Sequence, residues 1–169
     1  MVINVSVSDL ESLKKLSLFC PFPREDNYWE IALDRQDKGE LSIFAIFDNS
    51  NIVGFVIFNR KPQYNLFSKM DIPEIQDLFI HPDFRGKGFG KALVFHCEKL
   101  ALEEGCSEIG IGVGVLPSYG AAQSLYVSMG YIPDGQGMNC DRETIKEGDS
   151  ILFNHDIALM FIKKLHPLT

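Results

Sequence analysis

No Cys-x-x-Cys pair occurs among the four cysteines, Cys20, Cys97, Cys106 and Cys140, and no histidine stands at ligand spacing from any of them. A thiolate zinc site needs such pairs, so the sequence argues against one. No local signature marks a nucleophilic Cys–His couple either. No apolar run approaches the roughly 18 residues of a membrane-spanning helix. The longest, LSIFAIF from Leu41 to Phe47, has the length of a strand. The opening stretch MVINVSVSDLESLKK lacks the basic segment and apolar core of a secretory signal. Positive charge is also in deficit. Sixteen Lys and Arg against 23 Asp and Glu give a formal net charge of −7, which argues against a general nucleic-acid binder of the kind that presents a basic face. A cytoplasmic protein with free thiols, and with neither nucleic acid nor membrane as a partner, is the expectation.

With 169 residues, 46% of them apolar, the chain has the size and content of one globular domain, 1–169, with a substantial core. VINVSV alternates like a first strand. Ser8 or Asp9 can cap a helix through Leu10, Leu13, Leu16 and Leu18, and the prolines of CPFPR end it. Glu25–Gln36 reads as a second helix. LSIFAIFDNSNIVGFVIFN is a hairpin about a DNSN turn. A strand Glu74–Ile80 ends at His81-Pro82. A helix of about 15 residues follows and stops at Gly105. Ser107–Val115 is the next strand, GAAQSLYVSMG the next helix, and YIPDG opens a further strand or turn. Gln136–Ser150 carries no clear pattern, and ILFNHDIALMFIKKL closes the chain as a strand. This order predicts an α/β (α+β) fold: one mixed, largely antiparallel sheet of six to seven strands with helices on both faces.

Glycines alternate with Ile and Val in Ser107–Val115, so one face of that strand has almost no side chains. Close approach of another backbone or a ligand is one reason for this, and a bulky neighbouring side chain is another.

The densest chemical signal is HPDFRGKGFGKA. Three glycines, Gly86, Gly88 and Gly90, stand two apart among Arg85, Lys87 and Lys91, between a strand and a helix. The first N–H groups of a helix lack intrahelical partners, and its macrodipole is positive there. Glycines let backbone approach an anion closely, so the stretch is a credible phosphate cradle. It fails the Walker template in spacing and hydroxyl, and it fails the dinucleotide template because it reads Gly-x-Gly-x-Gly.

The loop resembles the acyl-coenzyme A loop of the GCN5-related N-acetyltransferases (GNAT), whose signature is Arg/Gln-x-x-Gly-x-Gly/Ala between a strand and a long helix. Arg85, Gly86, Lys87, Gly88, Phe89 and Gly90 satisfy it. AAQSLYVSMGY is similar to the family's next motif through Ala122, Leu125, Tyr126, Gly130 and Tyr131. The two motifs occur in the family's order with a strand between them. The resemblance covers Ile52 to Ile132 by motif and the whole chain by element order.

The resemblance implies the acyl-CoA N-acyltransferase fold and acetyl-CoA as acyl donor, with no metal. It implies transfer of the acetyl group to an amine acceptor, a small molecule or a peptide, by direct attack on the thioester. The loop from Arg85 through Gly86, Lys87, Gly88, Phe89 and Gly90 to Lys91 would hold the coenzyme's pyrophosphate. The backbone of Leu78, Phe79 and Ile80 would pair with the pantetheine arm, beside the family's splayed sheet. Tyr119, Ala122 and Tyr126 would complete the coenzyme side, although Tyr119 stands where many members carry an Asn. Tyr126 holds the family's place for the acid that protonates the departing thiolate, and a phenol with pKa near 10 suits that task. Glu74 matches the base position of histone-modifying members. Asp77 is a second candidate, on the opposite face of a regular strand, and a water chain a third. Phe22, Tyr28, Trp29, Tyr64 and Phe67, with Asp26 and Glu30, would suit a cationic acceptor. A non-catalytic acyl-CoA sensor or interaction module of the same fold is the alternative function, and a homodimer is left open.

Overall fold

The computed structural model describes residues 1–21 and 24–166, so Phe22 lies outside the described residues. In chain order the elements are β1 (Val2–Asn4), α1 (Leu10–Ser17), α2 (Tyr28–Asp37), β2 (Leu41–Asp48), β3 (Asn51–Asn59), α3 (Asn65–Lys69), β4 (Glu74–Ile80), α4 (Phe89–Glu103), β5 (Glu108–Gly114), α5 (Gly120–Ser128), β6 (Ile132–Cys140), β7 (Glu143–Thr144) and β8 (Ile157–Lys164). They fall into two compact units, one of residues 1–60 and 75–100, the other of 61–74 and 101–169. The fold is mixed α/β as expected, but its described strands number eight rather than six or seven.

In the first unit the strand order is β1-β2-β3-β4, with β1 and β3 antiparallel to β2. The β2–β3 hairpin turns at Asn49, whose left-handed φ of 53° suits an Asn. α1 and α2 bury Leu13, Leu16, Trp29, Ala32 and Leu33 against Leu41, Ile43, Ala45, Phe55, Ile57 and Phe79. Burying side chains of this size stabilises by about 1.5–3 kcal/mol each. Gly54 of β3 is required by proximity: a Cβ there would lie 2.3 Å from Ile80 Cδ1 and 2.8 Å from the Phe79 carbonyl oxygen.

In the second unit the order is β5-β8-β6-β7, with each successive pair antiparallel. The extra strand arises in the stretch without a sequence pattern. β6 shifts register between Pro133 and Met138, runs on to Cys140, and turns through Asp141 and Arg142 into the two-residue β7. Both turn residues have positive φ, 47° and 71°. β8 starts only at Ile157, later than its apolar run suggests. The glycine face of β5 is filled from within this unit. A Cβ at Gly110 would lie 2.1 Å from the Phe67 ring, one at Gly114 2.4 Å from the Tyr119 ring, and one at Gly112 3.1 Å from Met160 Sδ. Of the two readings of those glycines, the bulky neighbour accounts for Gly110 and Gly114.

Candidate active site

In the first unit, β4 ends at Ile80 and a single 3-10 turn, Pro82–Phe84, leads to the glycine loop. His81 serves that turn: its Nδ1 accepts from the Asp83 amide at 3.3 Å. Its ring packs on Phe19 and Phe84, centroids 4.2 and 5.7 Å away. Gly86 and Gly88 have φ of 74° and 84°, and a Cβ on either would meet nothing within 4 Å. Conformation demands glycine at these two positions, and open space lies beside the backbone they shape. Phe89 and Gly90 begin α4, whose first turn is marked by the Ala92 amide donating to the Gly88 carbonyl at 3.0 Å. Arg85 reaches back: its Nε donates to the Ile80 carbonyl at 3.0 Å and its guanidinium lies 5.7 Å from the Phe79 ring centre. Lys87 Nζ sits 4.7 Å from the Phe84 ring centre, and Lys91 is exposed. Leu78 and Ile80 are half-buried, while Phe79 is buried against Phe55, ring centres 5.6 Å apart.

Asp77 does not sit in a regular strand. Its φ is 54°, so two-residue alternation cannot place it opposite Glu74. Its Oδ2 accepts from the Tyr28 hydroxyl and, at 3.0 Å, from Arg24 Nη1. Burial, then the neighbouring Asp77 carboxylate, raises the Tyr28 phenol above its ordinary value. The Arg24 guanidinium lies 4.3, 5.3 and 5.3 Å from the ring centres of Tyr28, Trp29 and Phe55.

That arrangement revises the expected cationic-acceptor cage. Trp29 is 3% exposed and donates to Ser17 Oγ at 2.9 Å. Tyr64 and Phe67 are core residues of the second unit. Glu30 is paired with Lys14. The chain's own Arg24 faces the aromatic residues of the first unit, so these residues do not identify the acceptor.

In the second unit Glu74 is 1% exposed, and Arg142 Nη1 donates to its Oε1. The same oxygen lies 3.8 Å from the position a Cβ would take on Gly112. Beside this pair, the Tyr64 hydroxyl donates to Asp134 Oδ2 at 2.7 Å, and Tyr64 also feels the charge of Glu74. Tyr126 lies in α5, 4% exposed, with its ring centre 6.1 Å from that of Tyr131. Burial pushes its phenol above the ordinary 10. Ala122, one turn earlier, is half-buried. Tyr119 packs over Gly114, and Gln123 Nε2 donates to the Gly114 carbonyl at 2.8 Å. Sequence reasoning missed Arg24, Gln123 and Arg142. Arg24 follows a proline-broken stretch and Arg142 lies in the patternless one. Gln123 fell inside a recognised motif at a position the motif leaves open.

Residues 9–131 match the model of the acetyltransferase (GNAT) family. The chain belongs to that family. A curated N-acetyltransferase of Methanocaldococcus jannaschii is 32% identical over 88 residues, 52% of this chain and 37% of that protein. The chain therefore spans little more than a third of that relative's length. The whole fold is similar to the ribosomal-protein-S18-alanine N-acetyltransferase of Escherichia coli, with TM-score 0.73, 15% identity and coverage of 100% of this chain and 96% of the other. It is also similar to Salmonella typhimurium yncA, solved with acetyl-CoA, with TM-score 0.69, 16% identity and 99% and 95% coverage. This GNAT chain has no helix, among its described residues, long and apolar enough to cross a membrane.

Proposed function

We propose that the chain transfers an acetyl group from acetyl-CoA to an amine by direct attack on the thioester. The observation that carries this reading is the pair Gly86 and Gly88, both left-handed and both open on the side where a Cβ would stand, at the mouth of a 15-residue helix. Such a cradle fits a pyrophosphate. The Salmonella neighbour, solved with acetyl-CoA, supports the choice of donor.

When bound, acetyl-CoA supplies an activated acetyl thioester. The amides of residues 86–91, with Arg85, Lys87 and Lys91, hold its anionic part, and the backbone of Leu78, Phe79 and Ile80 orients its arm. Backbone N–H groups of β4 polarise the carbonyl to be attacked. The acceptor must lose a proton before its nitrogen has a free lone pair. Glu74, which accepts from Arg142, is the base for it and reaches the amine through water. Tyr126 holds a proton on its hydroxyl at every pH near neutrality, because burial raises its phenol, and it is the acid for the departing sulfur.

Incubating the purified chain with acetyl-CoA and a panel of amines tests this. Release of free thiol that depends on an amine is the expected result. Tight coenzyme binding with no thiol release from any amine overturns the enzyme reading in favour of an acyl-CoA-binding module.

A further inference from the structure

A left-handed conformation inside a strand usually falls on glycine. β4 has aspartate there. Asp77 adopts φ 54°, a conformation an L side chain resists, in the position just before Leu78, Phe79 and Ile80. Its side chain is gripped from the N-terminal segment of the same unit. The Tyr28 hydroxyl and Arg24 Nη1 both donate to Oδ2. Arg24 in turn is wedged against Tyr28, Trp29 and Phe55, and Trp29 is itself tied to Ser17. Asp77 is the counter-ion of a cation packed among rings, and the packing that fixes Arg24 fixes Asp77. Strained residues persist only where the surroundings over-determine them, as these do.

The consequence falls on the backbone that follows. In a regular strand successive amides point alternately to the two sides. A left-handed residue rotates the chain and re-aims the N–H and C=O groups after it. Resting on the acetyltransferase reading above, we propose that Arg24 and Tyr28 are positioning residues. They clamp Asp77 in its left-handed conformation and so set the backbone of Leu78–Ile80 for the coenzyme arm. Asp77 then acts as a bracket for the strand, with both donors on its Oδ2.

The test separates conformation from carboxylate chemistry. Glycine takes a positive φ freely and alanine does not. Coenzyme A affinity by calorimetry, kcat, and melting temperature are measured for wild type, Asp77→Gly, Asp77→Ala, Asp77→Asn and Tyr28→Phe. Asp77→Ala is expected to weaken coenzyme A binding by about tenfold, because alanine has no group for the clamp and resists the left-handed conformation that aspartate tolerates. Asp77→Gly should stay within about threefold of wild type in both affinity and kcat, because the kink no longer needs a clamp. Asp77→Asn keeps an oxygen for both donors and should keep coenzyme A affinity near wild type while lowering the melting temperature, because Arg24 loses its counter-ion, and Tyr28→Phe should weaken coenzyme A binding severalfold. Tyr28→Phe leaves the strand sequence intact, so it probes the clamp even if Asp77→Ala folds poorly. Equal loss of kcat in Asp77→Gly and Asp77→Ala with coenzyme affinity intact makes Asp77 a proton acceptor and overturns the proposal. Unchanged affinity in Asp77→Ala and Tyr28→Phe overturns it as well. Absence of coenzyme A binding by wild type is a separate result, which removes the acetyltransferase reading itself.

Discussion

Arg142, on the turn between β6 and β7, donates from Nη1 to the carboxylate of Glu74, the first residue of β4. The two are 68 residues apart in sequence. The turn that delivers the arginine has two successive non-glycine residues with positive φ, a hairpin geometry that Asn-Gly or Asp-Gly would satisfy at lower cost. A carboxylate that is 1% exposed cannot stay charged without a partner. Arg142 supplies a partner to the candidate base.

Arg142→Ala should therefore destabilise by about 3 kcal/mol, the lower end for breaking a buried pair because the arginine is one-third exposed. Glu74→Gln in the same background should recover most of the loss, since it removes the buried charge that Arg142 faces. Urea unfolding of the two single variants and the double variant measures the coupling. Additive single effects would mean that the pair does not stabilise the fold.

The glycine face of β5 makes a second prediction. Gly110→Ala would put a Cβ 2.1 Å from the Phe67 ring, and that ring is fully buried. Overpacking of this kind costs about 1–3 kcal/mol. Phe67→Leu should relieve part of it in the Gly110→Ala background, whereas alone it should only destabilise. Thermal unfolding of all three proteins checks the sign of the coupling.

Alkaline stability follows from three phenols. Burial is the largest cause that holds Tyr28, Tyr64 and Tyr126 above the ordinary value of 10.0. Below about pH 10 the folded and unfolded chains are both protonated at these groups, and no stability depends on them. Above it the unfolded chain loses protons that the folded one keeps, so stability falls as pH rises through the folded values. The urea midpoint should begin to drop as the pH rises past about 10, and the drop should be smaller in Tyr126→Phe, which has no proton to lose there. An equal drop in the variant would show that Tyr126 titrates normally.

Where a residue type is dictated by its own backbone, the sequence displays the site openly. Gly86 and Gly88 appear as glycines because their φ values require it, and the loop could be found on that ground. Asp77 has the same kind of conformation without glycine, so its kink left no sign, and only the contacts with Arg24 and Tyr28 reveal it. Gly110 and Gly114 were visible, but not their reason, because Phe67 and Tyr119 reach them from outside the strand. Glu74 was named as a candidate through the base position that the family resemblance implies. Its partner was hidden, since Arg142 lies in a stretch whose strand pairing is bulged and whose apolar residues do not alternate. The fold was legible through the hairpin and the two long apolar patterns, and the eighth strand was not, because two residues carry no period.

Tyr126 is the residue on which the chemistry can be tested most directly. Its phenol is buried and stays protonated well past neutrality, as an acid for a departing sulfur requires. Removing the hydroxyl takes away the proton and little else, because the ring and its packing beside Tyr131 remain. Tyr126→Phe should lower kcat for acetyl transfer by about a hundredfold, the usual scale for loss of one general acid. Coenzyme A affinity should stay within a factor of about two or three, since the loop proposed to hold the anion lies elsewhere in the sequence. The loss should lessen with an acyl thioester whose leaving thiol has a low pKa, because such a thiolate departs without help. A variant whose kcat is unchanged with both donors would leave the acid role to water and reduce Tyr126 to a packing residue of α5.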